Sequence, residues 1–319
     1  MHSHVYVHDV WPLIKDRKEV DKTLADLVNG PMALDKKTVD DRLREMDRQG
    51  IDIHVVSVHP GQYHYWAEPE LSAKIVKLQN DRTAEFVAAH PDRFVALGNV
   101  SMAHPELVVE QIDYAAKLGM RGFIVGCNVN SDELTNPKFE LFWRKAQELG
   151  LMVFLHPAAA FSGGTSNRYA GQGYLVNTIG NPLETTIALS HMIFEGFLDR
   201  FPDLRILAAH GGGYLPSYIG RSENCSNLRP DCQVMKRKPM DYVKGPQLFF
   251  DALVYSPENI RHLVATTGAS QIVVGTDFAF DISSKTPVDS ILQTPGLTPD
   301  QQRSILSGNA EKLLKLKPA

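Results

Sequence analysis

The chain alternates between short apolar runs and longer amphipathic segments along its whole length. Eight short runs are rich in β-branched and aromatic residues, as strands buried on both faces are. They occupy residues 4–7, 51–58, 94–100, 122–126, 151–156, 205–210, 247–254 and 271–277. Between them, apolar residues recur at helical spacing, most clearly over 39–49, 70–89, 106–118, 137–149, 183–199 and 257–267. Strand followed by helix, repeated in this way, predicts an α/β fold in which a parallel sheet closes into a (β/α)₈ TIM barrel.

An open, doubly wound sheet would give a similar order of elements. That fold needs a glycine-rich phosphate turn after its first strand, and "HVYVHDVW" (residues 4–11) contains no glycine. No repeat, low-complexity tract or linker interrupts the chain, so we expect a single domain over residues 1–319. The connections 8–38 and 157–182 are long enough to be binding loops or lids on the face where the strands end.

Composition and charge exclude some classes of function. A formal charge of -4 and an isoelectric point near 6.3 give no basic face for nucleic acid. No apolar run approaches the roughly 20 residues that span a bilayer, and the start of the chain does not read as a signal peptide. Cys127, Cys225 and Cys232 lack the spacing of a disulfide framework, so we expect reduced thiols in a cytoplasmic protein. A disulfide or zinc pair between Cys225 and Cys232 is the less favoured alternative.

Histidine and aspartate side chains mark the ends of several predicted strands. His2 and His4 lie two apart on the first strand and therefore point to one face. His156, His210 and Asp277 end the fifth, sixth and eighth strands, and all these ends converge at one mouth of a barrel. Three imidazoles and a carboxylate suit one divalent ion, zinc or alternatively manganese. We predict that His2, His4, His156 and Asp277 bind it, with His210 beside it as acid, base or electrostatic stabiliser.

Other polar and aromatic residues near the strand ends are weaker candidates. His59 follows the second strand and, with Trp66, is a candidate for contact with substrate. Surface exposure of His59 and core packing of Trp66 are the alternatives. We expect Glu184 to interact with a helix N-terminus and His191 to be structural.

Several motifs in their order resemble a known family. "HSH", "FLHP", "AAHGGG" and "GTDFAF" resemble the amidohydrolase superfamily, and "REMDRQGIDIHVVSV" and "NPLETTIALS" resemble its aminocarboxymuconate semialdehyde decarboxylase branch. The resemblance runs from His2 to Leu314. It implies one divalent metal, usually zinc, on the four ligands named above, a catalytic His210 and a homodimer. Binuclear members carry a lysine after the fourth strand, where this chain has "IVGCN", so a single metal is expected.

The substrate-binding residues of that branch are only partly present. Its carboxylate-binding arginine falls at about Ala33, near Lys36 and Lys37, and the aromatic residue after its "HP" is replaced by alanines 158–160. A lysine is not equivalent to a bidentate arginine. The resemblance further implies that Arg229 of the "RPD" segment reaches into the neighbouring subunit's pocket. Arg168 from the long loop is expected to help it, and the alternative for Arg229 is a surface pair with Asp231.

These features predict a metal-dependent, oxygen-independent decarboxylase of a small carboxylic acid with an adjacent hydroxyl, amine or enone. His210 would take or stabilise a proton, and Asp277 would shuttle one to the carbon that loses CO₂. Hydrolysis of a lactone, ester or amide, or ring-cleavage hydration, in the same site are the alternatives, followed by a non-catalytic metal-binding barrel. Only Met1 precedes His2, so we also expect the natural chain to begin a few residues earlier.

Overall fold

The protein folds as the predicted (β/α)₈ barrel in a computed structural model that describes residues 1–158 and 167–316. Each of the eight predicted strands is present. Seven are trimmed by one to several residues, and the first runs over Ser3–Val5 instead of the predicted 4–7. The strands are β1 Ser3–Val5, β2 His54–Val58, β3 Phe94–Ala96, β4 Gly122–Val125, β5 Met152–Leu155, β6 Ile206–Ala208, β7 Leu248–Asp251 and β8 Ile272–Val273.

The barrel closes through two isolated bridges between longer parallel ladders. Strands β1 to β3 pair in sequence order, as do β4 to β8. Gly98 pairs with Phe123 and Ser3 pairs with Phe278, which joins the two sets at both edges. At the second junction the His4 N–H donates to the Phe278 carbonyl at 2.7 Å. This junction lies beside Asp277, so closing the barrel brings β1 and the segment that follows β8 to one site.

Helices cover the outside of the barrel and extend beyond the predicted set. The predicted segment 183–199 is divided at Gly196, whose φ of 65° is left-handed. The helices at 11–14, 215–228 and 239–243 and those that follow residue 267 were not among the predicted segments. The α-helices are α1 Trp11–Ile14, α2 Lys36–Gln49, α3 Pro69–Ala89, α4 Pro105–Lys117, α5 Glu140–Leu149, α6 Asn181–Phe194, α7 Phe197–Arg200, α8 Leu215–Leu228, α9 Pro239–Val243, α10 Pro257–Thr267, α11 Pro287–Leu292, α12 Pro299–Arg303 and α13 Asn309–Leu314.

Short turns of other helix types connect these elements. In residues 1–158 and 167–316, no helix is both long and apolar enough to cross a membrane. A two-stranded antiparallel hairpin, Asn128–Val129 with Asp132–Glu133, follows β4. The 3₁₀ turns are His8–Val10, Lys22–Leu27, Pro60–Gln62, Pro137–Phe139, Asn167–Tyr169, His210–Gly212, Pro230–Cys232 and Ala269–Gln271, and the π turns are Val176–Gly180 and Ser304–Gly308.

Helix α2 shows how local sequence sets an element that supports the site. Its start is capped by Asp35, whose carboxylate accepts the Thr38 N–H at 3.0 Å, and its end is set by Gly50 at a left-handed φ of 70°. The side chains buried from this helix include Val39, Arg42 and Met46, which recur at helical spacing. An arginine therefore lies on the face of α2 that packs against the barrel.

The hydrophobic core has an inner and an outer layer. Inside the barrel, Ile124, Phe154, Leu207 and Val273 are fully buried and form one cluster. The His2 ring lies edge-on to Phe154, with ring centroids 4.9 Å apart. A second cluster joins the outer strand faces to the surrounding helices. The inner cluster therefore packs directly beneath the polar residues at the mouth of the barrel.

The expectation of three reduced thiols is wrong for two of the cysteines. Cys225 in α8 and Cys232 in the following 3₁₀ turn form a disulfide, with Cα atoms 6.1 Å apart. The turn through Pro230 brings the chain back beside the end of α8, which a spacing of seven residues alone does not reveal. Cys127 is buried and free.

Candidate metal centre

Four side chains that are far apart in the sequence meet at the C-terminal mouth of the barrel. His4 projects from β1 and His2 immediately precedes that strand, while His156 follows β5 and Asp277 follows β8. All four are buried, and one potential ligand atom from each lies within 4.8 Å of the others. The structure thus brings together the four residues that the sequence singled out as metal ligands.

The histidines are oriented by hydrogen bonds on the side away from the centre. His156 Nδ1 donates to the Pro157 carbonyl at 2.8 Å, and His4 Nδ1 lies 3.3 Å from the Val58 carbonyl. His2 Nδ1 lies 2.7 Å from a carboxylate oxygen of Asp251. Because each Nδ1 faces an acceptor, each Nε2 is left with a lone pair directed at the centre. This is the arrangement that a metal-binding imidazole requires.

The atoms at the centre fit a cation. His2 Nε2 and His4 Nε2 are 3.0 Å apart, and Asp277 Oδ1 lies 3.2 Å and 3.4 Å from them. Among the described residues, the buried His156 Nε2 and Asp277 Oδ1 have no hydrogen-bond partner. Lone pairs this close repel one another unless a proton or a metal ion lies between them. Three nitrogens and one carboxylate oxygen are a donor set that divalent zinc accepts.

The charge states of His4, His156 and Asp277 suit a ligand role. Burial lowers the pKa of His4 to about 4 and that of His156 well below its usual range, so both imidazoles are neutral. Burial would lower the pKa of His2 as well, but Asp277 and Asp251 raise it to about 9. Although burial opposes it, the neighbouring histidines hold the pKa of Asp277 well below its ordinary value. A proton on His2 therefore competes with a cation for the same nitrogen.

His210 stands beside this cluster and is more open to solvent. Its side chain is 14% exposed, and its Nε2 lies 3.8 Å from Asp277 Oδ2. Its ring centroid is 5.2 Å from that of His156, and its buried Nδ1 lacks a hydrogen-bond partner among the described residues. The backbone of His210 has a left-handed φ of 53° at the start of the turn that follows β6. His210 is thus near the centre, with its Nε2 facing Asp277 and its buried Nδ1 unpartnered among the described residues.

Sequence reasoning missed Asp251, which is fully buried at the end of β7. Its Oδ2 accepts from His2 Nδ1 at 2.7 Å and from the His210 N–H at 3.0 Å. Its Oδ1 accepts the Gly211 and Leu253 N–H groups at 2.9 Å and 3.1 Å. One carboxylate therefore orients a candidate ligand and fixes the turn that carries His210. The signal was present as a polar residue near a strand end, but "QLFFDALV" suggested that the strand continued.

Arg42 is a second residue that the sequence pattern concealed. It is 2% exposed, and its guanidinium donates to the His4 carbonyl through Nη2. The same group lies 4.6 Å above the Phe278 ring. Burial lowers the pKa of Arg42 to about 9. A charged residue is normally exposed, so its position on the helix did not suggest that it supports β1 and the segment after β8.

The two predicted substrate-contacting residues, His59 and Trp66, lie in different surroundings. His59 is buried, and its ring is 6.4 Å from that of His4 and 5.1 Å from that of Phe280. Trp66 is half-buried against the inner core and the His64 ring, in accord with the packing alternative. His59 is therefore part of the mouth, whereas the contacts of Trp66 are those of a supporting residue.

The predicted anchoring arginines lie on the surface of the single chain. Arg229 is exposed and pairs with Asp231 through contacts of 3.0 Å and 3.2 Å, and Arg168 is exposed as well. Lys36 and Lys37 are also exposed, and Lys37 pairs with Asp41. Within one chain the structure thus shows the surface pair for Arg229. Ala159, Ala160 and Phe161 of the long loop lie outside the described residues.

Two minor predictions are in agreement with the structure. Glu184 lies in the first turn of α6, where its carboxylate accepts from the Asn128 side chain. Burial raises the pKa of Glu184. His191 lies within α6 and bonds to Glu195 one turn later, which is a structural contact.

Comparisons with known proteins give a consistent set of similarities. A sequence model described as "Amidohydrolase" matches residues 1–316. The 2-amino-3-carboxymuconate-6-semialdehyde decarboxylase of Dictyostelium discoideum is 32% identical over 88% of this chain and 77% of that protein. The solved structure of 5-carboxyvanillate decarboxylase from Sphingomonas paucimobilis superposes with a TM-score of 0.84 at 22% identity, over 99% of this chain and 98% of that one.

A further solved structure carries a metal. It is a dihydroxybenzoic acid decarboxylase from Polaromonas sp. with bound manganese and the inhibitor 2-nitroresorcinol. Its TM-score is 0.82 at 23% identity, with 99% of this chain and 96% of that chain covered. At this level of identity the likeness shows the common fold.

Proposed function

This chain belongs to the amidohydrolase family, and we propose that it is a metal-dependent decarboxylase of a small carboxylic acid bearing a hydroxyl, amine or enone. Relatives across most of the chain are named as decarboxylases, which makes it an enzyme of the carboxy-lyase class. The observation that carries the proposal is the convergence of three imidazole nitrogens and one carboxylate, each aimed at the same point. We further propose that the whole chain, residues 1–319, forms one domain of this type.

We propose that His2, His4, His156 and Asp277 hold one divalent ion. When bound, such an ion would act as a Lewis acid that polarises oxygen atoms of the substrate. The three-nitrogen, one-oxygen donor set favours zinc, and manganese is the alternative because a structural relative carries it. The single ion follows from the position after β4, where Gly126 and Cys127 provide no lysine to bridge a second one.

The remaining polar groups of the site would deliver the proton that replaces the lost carboxylate. Decarboxylation replaces a carboxylate on carbon with a proton, so the site needs a group that delivers one at the mouth. His210 stands beside the cluster, with its Nε2 3.8 Å from Asp277 Oδ2. We assign the proton donor to His210, with Asp277 as the group that holds its ring and exchanges the proton. Asp251 fixes the backbone of His210 and so sets the position of this donor.

An assay of CO₂ release distinguishes this function from hydrolysis. Protein loaded with zinc or manganese is offered hydroxybenzoates, aminomuconates and lactones under nitrogen, and CO₂ and acid release are measured separately. We expect CO₂ from at least one hydroxylated or amino acid, and a loss of roughly two orders of magnitude or more in His210→Ala with its metal content kept. Hydrolysis of a lactone without CO₂ release from any acid would overturn the proposal.

The remaining parts of the proposal concern assembly and location. We propose a homodimer in which Arg229 of each chain serves the partner's pocket, supported by the exposed position of this arginine at the end of α8. Its planar fork can bind a carboxylate with two hydrogen bonds once its pair with Asp231 is exchanged. A cytoplasmic location stays a prediction, and the disulfide between Cys225 and Cys232 removes the support that reduced thiols would give it.

A further inference from the structure

Beyond the histidine cluster, Tyr6 is a buried side chain whose hydroxyl lacks a hydrogen-bond partner among the described residues. The residue is 0% exposed, and its oxygen is inaccessible. A buried hydroxyl without a partner is costly, so native structures rarely keep one. A molecule bound beside it could supply the missing hydrogen-bond partner.

The position of Tyr6 follows from the strand that carries the candidate ligands. His2, His4 and Tyr6 alternate along the same extended segment, so their side chains lie on one face. The Val5 carbonyl accepts the His59 N–H at 2.9 Å, and the Tyr6 N–H donates to the Met32 carbonyl at 2.8 Å, so the extended segment continues through Tyr6. A rise of about 3.3 Å per residue puts Tyr6 about 6.6 Å beyond His4, towards the mouth.

Tyr6 belongs to a continuous aromatic wall that begins at the cluster. The His4 ring is 5.5 Å from Phe280, Phe280 is 5.1 Å from His59, and His59 is 6.2 Å from Tyr6. A planar substrate held at the cluster by its carboxylate would lie along this wall. The Tyr6 hydroxyl would then meet the end of the substrate remote from the carboxylate.

The neighbours of Tyr6 determine which chemical group fits there. Tyr6 pairs with Ala33 in an isolated bridge, and Ala33 is where the family resemblance places a carboxylate-binding arginine. Lys36 and Lys37 are exposed, and Arg42 is engaged by the His4 carbonyl and the Phe278 ring. The described residues of this chain therefore offer a hydroxyl, rather than a cation, beside the remote end of the substrate.

We propose that Tyr6 is a specificity-determining residue that hydrogen-bonds an uncharged oxygen substituent of the substrate. The substrate class is then a phenolic or enolic acid with a single carboxylate, not a dicarboxylate, and the carboxylate that the partner's Arg229 is proposed to bind is the one at the histidine cluster. This inference rests on the proposed function, because it assumes that the carboxylate lies at the histidine cluster. It adds to that function the chemical identity of the substituent at the end of the substrate remote from its carboxylate.

The test compares ligands that differ only at the remote position. β-Resorcylate carries a hydroxyl para to its carboxylate, salicylate lacks it, para-methylsalicylate replaces it with a methyl, and hydroxyterephthalate replaces it with a second carboxylate. Their dissociation constants for zinc-loaded protein are measured by calorimetry, independently of turnover. We expect the wild type to bind β-resorcylate about tenfold or more tighter than each of the other three.

Variants then assign the preference to one hydroxyl. Tyr6→Phe keeps the ring and removes the oxygen, so it should bind β-resorcylate and salicylate within about twofold of each other. Tyr114→Phe is the matched control, since its hydroxyl bonds to Asp81 on the outer helices, and it should keep the wild-type ratio. Thermal unfolding and zinc content of each variant verify folding.

The outcomes separate this inference from the proposed function. An unchanged ratio in Tyr6→Phe, or wild-type binding of salicylate, para-methylsalicylate or hydroxyterephthalate as tight as that of β-resorcylate, overturns the role of Tyr6. The three comparison ligands apply this test in the unaltered protein, even if the variant is unstable. Failure of CO₂ release with an intact binding preference overturns the decarboxylase assignment and leaves Tyr6 as a recognition residue.

Discussion

Replacing Asp251 with asparagine is expected to weaken divalent-metal binding by about 10- to 100-fold. The carboxylate accepts four hydrogen bonds, two on each oxygen, and all four donors are buried with it or fixed by it. Asparagine has one acceptor oxygen and a donor amide in the same volume. Two of the four donors must therefore face the amide nitrogen.

The magnitude follows from the two ways in which asparagine can be placed. If its amide faces His2, the His210 N–H loses its acceptor at about 1–3 kcal/mol. The Nδ1 atom of His2 must then become an acceptor, and its proton moves to Nε2, the atom that would bind metal. If its amide faces the other way, the Gly211 and Leu253 N–H groups lose their acceptor, at about 1–3 kcal/mol each. The first placement reduces metal affinity directly, and a tenfold loss corresponds to about 1.4 kcal/mol. The second lowers the free energy of unfolding by about 2–6 kcal/mol.

Two measurements distinguish these placements. Competition with a fluorescent zinc chelator gives the dissociation constant, and thermal unfolding of the metal-free protein gives the change in stability. Asp199→Asn is the matched control, since it removes a largely buried carboxylate that bonds to Tyr242 outside the barrel and should leave zinc affinity unchanged. A dissociation constant within threefold of wild type, together with unchanged stability, would refute the role assigned to Asp251.

The other predictions concern the ligands, a buried acid and the partner subunit. Wild-type protein should bind about one divalent ion per chain, and His4→Ala or Asp277→Ala should lose most of it by metal analysis; two tightly bound ions would contradict the single site. Burial raises the pKa of Glu184 above its ordinary 4.5. The ionised, buried carboxylate therefore lowers the free energy of unfolding increasingly as the pH rises past that value. Glu184→Gln should therefore raise the melting temperature at pH 8 and not at pH 4, and an equal shift at both would contradict this reasoning. The Arg229→Ala variant should have a higher KM and keep its metal. Mixing this variant with the His210→Ala variant should restore activity in verified heterodimers, and no recovery would mean that each site is built within one chain.

The parts of the site that could be read from sequence are those fixed by strand geometry. His156 and Asp277 are 121 positions apart, yet each ends an apolar run, and a parallel barrel brings such ends together. Asp251 obeys the same rule but was hidden, because the apolar residues after it extend the predicted strand to 254. The structure ends β7 at Asp251, where its side chain turns to accept the N–H groups of the following loop.

Contacts between a side chain and a distant backbone could not be predicted in this way. Arg42 lies on an apolar helix face, and nothing local indicates that its partner is the His4 carbonyl, 38 residues earlier. The disulfide between Cys225 and Cys232 depends on the direction of a turn, which spacing does not determine. Hydrophobic periodicity reports which face is buried, but it does not report which polar group on another element lies opposite.

A substitution that changes substrate recognition need not disturb the metal ligands, because hydrogen bonds fix β1 on both sides of His4. The His4 N–H donates to the Phe278 carbonyl, its carbonyl accepts from Arg42, and its Nδ1 faces the Val58 carbonyl. None of these bonds involves the side chain of Tyr6, which extends from the same strand two residues later. A substitution at Tyr6 therefore alters the remote end of the pocket while the geometry of His2 and His4 is kept. Differences in substrate within this family are thus expected to arise in the wall beyond the cluster, where this chain pairs a tyrosine with Ala33.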